Sequence, residues 1–286
     1  MTMPLIRESF RDMRPLGEVM HRRIMDLYRT YMLVGGMPKA VSNYIEKNSF
    51  AAAEDVKRSI LQLYLNDAVK LDEESGSDKA ASILKALPSN LSRHDKSFSP
   101  RLLKKDSRLR DYRRMISELG ESMMVNLCYR STEPAPDIES HSDHDDLKMY
   151  LCDTGLLFTL SFSTLRYDSD EVYRDVLSGD LSLNEGMYFE NMVAQELTVS
   201  GHPLFFSKFM HRDSKKYQEV DFVIVRGRTP TAIEVKSGKR QRMHRSLDRY
   251  IDKFGDRIGM SYVVGTGDVD VQENITYLPV YMASLL

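Results

Sequence analysis

Apolar residues recur at helical spacing through the first quarter of the chain. In "GEVMHRRIMDLYRTYMLV", residues 17–34, the apolar positions fall on one helical face; they are Val19, Ile24, Leu27, Tyr28 and Tyr31. The stretch "GGMP" at 35–38 suits the end of one helix and the start of the next, because glycine ends helices and proline is tolerated at their first position. Residues 51–72 repeat the pattern, with Val56, Ile60, Leu63 and Tyr64 on the predicted apolar face. The pattern therefore predicts a helical linker region over residues 1–78.

Residues 79–135 are predicted to form a winged-helix-like domain. "KAASILKALPSN" predicts a first helix, residues 99–120 predict further helical segments, and "MMVNLCYR" alternates like a strand. Helices followed by a short strand pair are the winged form of helix-turn-helix. Residues 131–147 are rich in Pro, Ser and Asp. This stretch lacks apolar anchors that could hold metal ligands rigidly, so its histidines and aspartates are interpreted as part of a plain linker.

Residues 148–286 are predicted to form a mixed α/β domain. After a strand at 146–153 and a helix at 154–161, a long helix is expected to end at Gly201. Three strands follow, in "PLFFSKF", "EVDFVIVRG" and "TAIEVKS", and then a helix in "RSLDRYIDKFG" and strands in "GMSYVVG" and "ITYLPVY". The predicted fold class is α+β, with a helical, winged-helix N-terminal half followed by an α/β core around a mixed central sheet.

Composition narrows the class of protein. The 286 residues include 42% hydrophobic ones and carry a net charge of −2, so a sizeable core can form and the overall charge indicates no polyanionic partner. Two cysteines without CxxC spacing argue against a disulfide framework or a cysteine-based zinc site. The charged N-terminus does not resemble a signal peptide, and no apolar run is long enough to cross a membrane. A soluble, cytoplasmic chain with no membrane contact is therefore expected.

A local basic cluster suggests nucleic acid as a partner. Residues 93–114 contain nine basic and three acidic residues, a net charge of +6. Such a cluster can neutralise phosphates, and the residues predicted to do so are Arg101, Lys104, Lys105, Arg108, Arg110 and Arg113. A second basic run, Lys239, Arg240 and Arg242, follows the last of the three strands. The alternative for both runs is a solvated charged face.

Acids interrupt two of the predicted strands. Residues two apart on a strand share a face, so Glu219, Asp221 and Val223 are expected on one face and Val220, Phe222 and Ile224 on the other. The intervening "RGRTP" predicts a hairpin that brings Asp221 beside Glu234, with Lys236 one step along. Two buried carboxylates repel unless a cation lies between them, and Mg²⁺ or Mn²⁺ prefers oxygen ligands. The alternative is an exposed hairpin with solvent-facing charges.

This arrangement resembles the PD-(D/E)xK nuclease core. Asp221 is followed by twelve residues and then Glu234-Val235-Lys236, and Glu190 in "GMYFEN" stands where that superfamily has an acid on the preceding helix. The resemblance implies catalytic roles for Glu190, Asp221, Glu234 and Lys236, with the three acids as metal ligands. It also implies a restriction-endonuclease-like core over residues 148–286. Glu190 could instead simply pair with a basic neighbour.

A longer set of motifs is similar to the C-terminal region of prokaryotic AAA-type ATP-binding proteins. The set runs from "VGGMPKAV" and "YLNDAVK" through "LKMYLCDTGLL" and "GMYFEN" to "EVDFVI" and "IEVKSG". That region joins a winged-helix part to a nuclease-like fold, and its ATPase module precedes it, so no ATP site is expected in this chain. The resemblance implies a metal-dependent phosphodiesterase acting on DNA or RNA. The alternative is a non-catalytic binding or sensor module that partners an ATPase.

Overall fold

The computed structural model describes residues 2–71, 78–163, 169–178, 184–213, 216–238 and 242–286. Its helices, numbered in chain order, are α1 (Thr2–Asp12), α2 (Glu18–Val34), α3 (Pro38–Lys47), α4 (Phe50–Leu71), α5 (Lys79–Leu91), α6 (Arg113–Glu121), α7 (Thr154–Ser161), α8 (Ser169–Ser178), α9 (Glu185–Val199) and α10 (Arg245–Phe254). Its strands are β1 (Val125–Ser131), β2 (Ser142–Leu151), β3 (Leu204–Phe209), β4 (Gln218–Arg226), β5 (Thr229–Lys236), β6 (Ser261–Gly265), β7 (Asp270–Gln272) and β8 (Ile275–Pro279). Short 3₁₀ helices include Pro100–Leu102 and Leu109–Asp111.

The chain divides into two compact units. The first comprises residues 1–25, 128–147 and 196–286, and the second comprises residues 26–127 and 148–195. The predicted order of a long helix, three strands, a helix and a strand is confirmed by α9, β3 to β5, α10 and β6. None of the helices in the described ranges is long and apolar enough to cross a membrane.

The first unit is built on a mixed sheet. Eight strands lie in the order β2-β1-β3-β4-β5-β6-β8-β7, with β5, β6 and β8 parallel and β4 antiparallel to both β3 and β5. One apolar cluster of this unit joins sheet residues, among them Val223 and Val263, to Leu247, Tyr250 and Phe254 of α10. The predicted α+β class with a mixed sheet is therefore confirmed.

The strand at 125–131 belongs to this sheet. β1 pairs in parallel with β3, from Cys128 opposite Leu204 to Ser131 opposite Ser207. The following stretch is not a plain linker, because a 3₁₀ helix at Ile138–His141 and β2 occupy most of it. The prediction for 131–147 is thus wrong for its second half. Pairing in a sheet overrides the polar composition, and Arg130 Nη1 lies 3.6 Å from Asp143, which supplies the polar strand with a counter-charge.

The second unit packs helices around an apolar and aromatic core. The Tyr173 ring contacts those of Phe50 and Phe158, and the Phe158 ring also contacts that of Tyr188. The distances between ring centroids are 4.7 to 5.8 Å. Helices α2 and α4 form where predicted, but Val19, Leu27 and Leu63, which lie on the predicted apolar faces, are exposed. The buried side of α4 instead includes a charged pair, which periodicity of apolar residues cannot reveal.

That pair is Glu54 and Lys57. Lys57 Nζ lies 3.4 Å from Glu54 Oε2, and both side chains are almost wholly buried. The ammonium group donates to the Leu33 carbonyl at 2.7 Å and to the Tyr173 hydroxyl at 2.5 Å. Burial lowers the pKa of Lys57 to about 8, against the opposing attraction of Glu54. This network ties α4 to the end of α2 and to α8.

Candidate carboxylate site and basic segment

The β4–β5 hairpin carries two of the predicted acids. Its regular pairing runs from Arg226 opposite Thr229 to Phe222 opposite Ile233, and the next residues on the two strands are Asp221 and Glu234. Glu234 is buried, with 6% of its surface exposed. Lys236 Nζ lies 2.7 Å from Glu234 Oε1. The predicted hairpin and the pairing of the acid with its lysine are present in the structure.

A β-bulge displaces the predicted alternation on β4. Phe205 pairs with Val223 and Ser207 with Val220, so three steps on β4 oppose two on β3. The extra residue lies at positions 221–222, and bulges re-aim the side chains around them. Val220 and Val223 consequently belong to the same apolar cluster. The prediction that they lie on opposite faces is wrong, because a period of two holds only for a regular strand.

Asp221 is anchored at the bulge. Its Oδ2 atom accepts a hydrogen bond from the backbone N–H of Val235 at 2.8 Å, just where the regular ladder of β4 and β5 ends. Backbone N–H groups need a partner when they are buried. One carboxylate oxygen of Asp221 therefore has a structural role on the neighbouring strand.

Glu190 lies on α9 and is held by cations and a hydroxyl group. Its Oε1 atom accepts from Tyr150 Oη at 2.5 Å and from Lys148 Nζ at 3.2 Å, and Lys96 contacts Oε2. Glu190 and Lys148 are 3% and 0% exposed. Burial alone would raise the pKa of Glu190, but the charges of Lys148 and Lys96 outweigh burial and hold its pKa well below the ordinary value. The structure therefore has Glu190 paired with basic neighbours, as the alternative interpretation expected.

Glu190, one of the three predicted metal ligands, already has cationic partners in this conformation. A cation at Glu190 would have to displace Lys96, Lys148 or Tyr150 from its carboxylate oxygens. Within the described ranges, no cluster of three or more His, Cys, Asp or Glu side chains could hold a metal ion. Lysine ammonium groups contact Glu190 and Glu234, and Asp221 accepts from the Val235 backbone N–H. The metal site stays a prediction from the motif.

Apolar periodicity did not identify the partners of Glu190. In the sequence, Lys96 was counted only as part of the basic cluster. No role was assigned to Lys148, which lies in the motif "LKMYLCDTGLL". The available signal was a lysine between Leu147 and Met149 in the apolar second half of β2, which is buried. A charge at such a position requires a buried counter-charge.

The basic segment, residues 101–113, presents its six predicted cations to solvent. All are exposed: Arg101, Lys104, Lys105, Arg108, Arg110 and Arg113. Buried Pro100, Tyr112 and Met115 anchor the segment at its two ends. Among these cations, Arg110 lies 3.8 Å from Asp111. Exposed ion pairs of this length contribute little, so the segment keeps its positive charge.

Four of these cations, Arg101, Lys104, Lys105 and Arg108, surround a surface depression. A cavity of about 640 Å³ is lined by these four cations, by one acid, Asp106, and by Leu103 and Ser107. Within the described part of the chain, none of the four forms an ion pair. Their exposure is compatible with the predicted phosphate contacts and with the alternative of a solvated charged face, so both stay predictions.

The second predicted basic run is described only in part. Lys239 and Arg240 lie outside the described residues. Arg242 Nη2 is 3.0 Å from Asp270 Oδ2, and both side chains are largely exposed. A phosphate role for this run stays a prediction.

The structure is that of an α+β protein in which each unit holds charge-compensated carboxylates and the second unit carries an exposed basic segment. The family model described as "Domain of unknown function (DUF8612)" matches residues 25–168, which is half of the chain, and the chain belongs to that family. The model described as "Domain of unknown function (DUF4143)" matches residues 185–283. No curated protein and no solved structure matches the chain.

Proposed function

We propose that this chain is a non-catalytic nucleic-acid-binding module whose basic segment contacts the phosphate backbone. The observation that carries this proposal is the group of four cations, Arg101, Lys104, Lys105 and Arg108, around one depression without ion pairs among the described residues. Phosphate contacts made by lysine and arginine supply sequence-independent affinity by releasing counterions. A segment with this charge suits that task.

The state of the carboxylates supports the non-catalytic part of the proposal. Glu190 holds Lys96 and Lys148, Glu234 holds Lys236, and Asp221 accepts from the Val235 backbone. Buried charges in such pairs are already compensated, and separating them costs several kcal/mol. In this module the acids stabilise the fold.

An AAA-type ATPase is the proposed partner. Residues 185–283 match a domain that is typically found in AAA-ATPase-associated proteins. An ATPase would supply the nucleotide-driven motion, and this module would supply the contact with nucleic acid.

The test is the salt dependence of nucleic-acid binding. Fluorescence anisotropy with a short labelled DNA or RNA duplex measures the affinity of the wild type and of the variant K104Q/K105Q/R108Q at several salt concentrations. Each phosphate contact contributes about 0.9 to the slope of log K against log salt concentration. Loss of three contacts should therefore reduce the slope by roughly 2 to 3.

A matched control removes three exposed lysines elsewhere in the second unit. The variant K39Q/K47Q/K70Q changes the net charge equally but leaves the basic segment intact. Its slope should equal that of the wild type. Equal slopes for all three proteins, or no binding by the wild type at low salt, would refute the proposal.

A second candidate is a metal-dependent phosphodiesterase acting on DNA or RNA. The observation that favours it is the hairpin, on which Asp221 and Glu234 follow the last regular pair and Lys236 contacts Glu234. This candidate requires Mg²⁺ or Mn²⁺ as cofactor, and it requires Glu190 to release its lysines.

Cleavage assays decide between the two candidates. Plasmid and single-stranded DNA and RNA are incubated with Mn²⁺ and the wild type, D221A or K236A. Cleavage by the wild type that both variants lose would establish the second candidate. Equal residual cleavage by all three proteins would mean contamination and would leave the non-catalytic proposal standing.

A further inference from the structure

A groove in the second unit lies apart from the basic segment and the carboxylates. Helices α4, α5 and α7 enclose a cavity of about 510 Å³. Ligand pockets in proteins typically measure about 300 to 1,000 Å³. The size of the groove therefore suits a small molecule rather than a single water or ion.

The floor of the groove is apolar. Leu61 and Leu160 are each 7% exposed, and Leu65 of α4 is half-buried beside them. Leucine side chains with a face on an open groove leave apolar surface in contact with water. Covering that surface is favourable by about 25 cal/mol per Å².

The rim of the groove carries two cations. Lys85 of α5 is exposed and forms no ion pair within the described ranges. Arg58 of α4 is half-buried, and its Nε atom lies 2.9 Å from Glu54 Oε1. Pocket ligands are oriented by a few polar groups at an otherwise apolar wall.

The acid beneath Arg58 is already compensated from inside the unit. Glu54 Oε2 accepts from Tyr173 Oη at 2.6 Å and from Thr159 Oγ1 at 2.7 Å, and it lies 3.4 Å from Lys57 Nζ. Two cations thus share one carboxylate. The mouth of the groove therefore keeps a positive charge that is complementary to an anion.

We propose that this groove binds a small amphipathic anion, with an apolar body on the leucine floor and a carboxylate or similar anionic end at Lys85 and Arg58. A neutral apolar molecule would form no ion pair with Lys85 or Arg58. A small inorganic anion would not cover the apolar surface of the leucines. Medium-chain fatty acids and aryl carboxylates or sulfonates have the required chemistry. This site is independent of the proposed nucleic-acid contact.

The first test uses 8-anilinonaphthalene-1-sulfonate, an apolar aromatic body with one anionic group. Its fluorescence is titrated with the wild type, K85Q and L65Q, and decanoate and decanol are then compared as competitors. The wild type should bind the dye saturably. Each substitution should weaken binding about tenfold, the effect of one charge-assisted contact or of a lost apolar contact. Decanoate should displace the dye at lower concentration than decanol.

Controls separate the site from general dye binding. K39Q removes an exposed lysine from α3 and should bind the dye as the wild type does. Circular dichroism and the melting temperature identify any variant whose packing is lost, because loosened proteins bind this dye nonspecifically. K85Q changes an exposed side chain, so it remains informative even if L65Q unfolds. Absence of saturable binding to the wild type, unchanged binding to folded K85Q, or equal displacement by decanol would overturn the proposal.

Discussion

Each buried charge of the second unit described above has a specific counter-charge. Glu190 lies between Lys96, Lys148 and the Tyr150 hydroxyl, and Glu54 contacts Lys57. Burial disfavours every one of these charges, and the paired geometry compensates for it. Removal of one member leaves the others uncompensated. Stability should therefore respond more strongly to these residues than to exposed charges.

Substitution E190Q tests the pairing directly. It keeps the size of the side chain but leaves Lys148 and Lys96 without their shared carboxylate. We expect a loss of about 3 kcal/mol in the free energy of unfolding, measured by urea denaturation. The exposed E46Q should change it by less than about 0.5 kcal/mol. Equal stability of E190Q and the wild type would contradict the assigned role.

The same residue predicts a pH dependence. Against burial, Lys148 and Lys96 lower the pKa of Glu190 from 4.5 to about 2. A carboxylate whose pKa is lower in the folded than in the unfolded protein stabilises the fold at pH values above its unfolded-state pKa. This stabilisation is lost as the pH falls through the folded-state pKa. The stability difference between the wild type and E190Q should thus be full above about pH 5 and shrink steadily below it. A difference that stays constant down to pH 3 would exclude Glu190 as its source.

At the scale of elements, the start of α7 is tightly coupled to the end of α2. Asp153 caps α7 by accepting from Leu156 N at 2.8 Å and also accepts from Gly36 N at 2.6 Å. A Cβ atom on Gly155 would lie 2.5 Å from the backbone nitrogen of Gly35. The motifs "VGGMP" and "CDTGLL" therefore meet through backbone contacts that only glycine permits.

Substitution G155A should destabilise the second unit. The added methyl group meets backbone atoms of Gly35 and Val34, which cannot move aside like the end of a side chain. Overpacking of this kind costs about 1 to 3 kcal/mol. The control G255A adds a methyl group in open space at a residue with helical dihedral angles, and it should be neutral or slightly stabilising. Thermal unfolding followed by circular dichroism measures both, and a wild-type melting temperature for G155A would refute the close contact.

At the scale of the whole molecule, the proposed function is to bind nucleic acid without cleaving it. The basic segment supplies exposed positive charge, and the candidate carboxylates are engaged with lysines and backbone. The molecule as a whole is slightly acidic, with a net charge of −2. Binding should therefore depend on one surface region rather than on global attraction, and it should weaken steeply with salt.

Metal ions should not stabilise the protein specifically. A ligand that binds only the folded state raises the free energy of unfolding by RT ln(1 + [L]/Kd), about 2.7 kcal/mol at a hundredfold excess over Kd. We expect millimolar Mn²⁺ to shift the melting temperatures of the wild type and of D221A/E234Q equally. A rise confined to the wild type would favour the metal-dependent candidate.

Local patterns in the sequence determined most elements of this protein. Apolar runs on either side of the turn "RGRTP" predicted the β4–β5 hairpin, and helical spacing predicted α2 and α4. These features depend on neighbours in the chain, which the sequence displays.

Only the tertiary structure decided where the charges are compensated. The bulge at Asp221 arises from pairing with β3, the burial of Glu54 and Lys57 arises from packing against α7 and α8, and Glu190 receives lysines that lie 94 and 42 residues away in the sequence. Each of these depends on segments that are distant in the chain. A carboxylate has the same identity beside a metal as beside a lysine, and its partner is set by the fold that surrounds it.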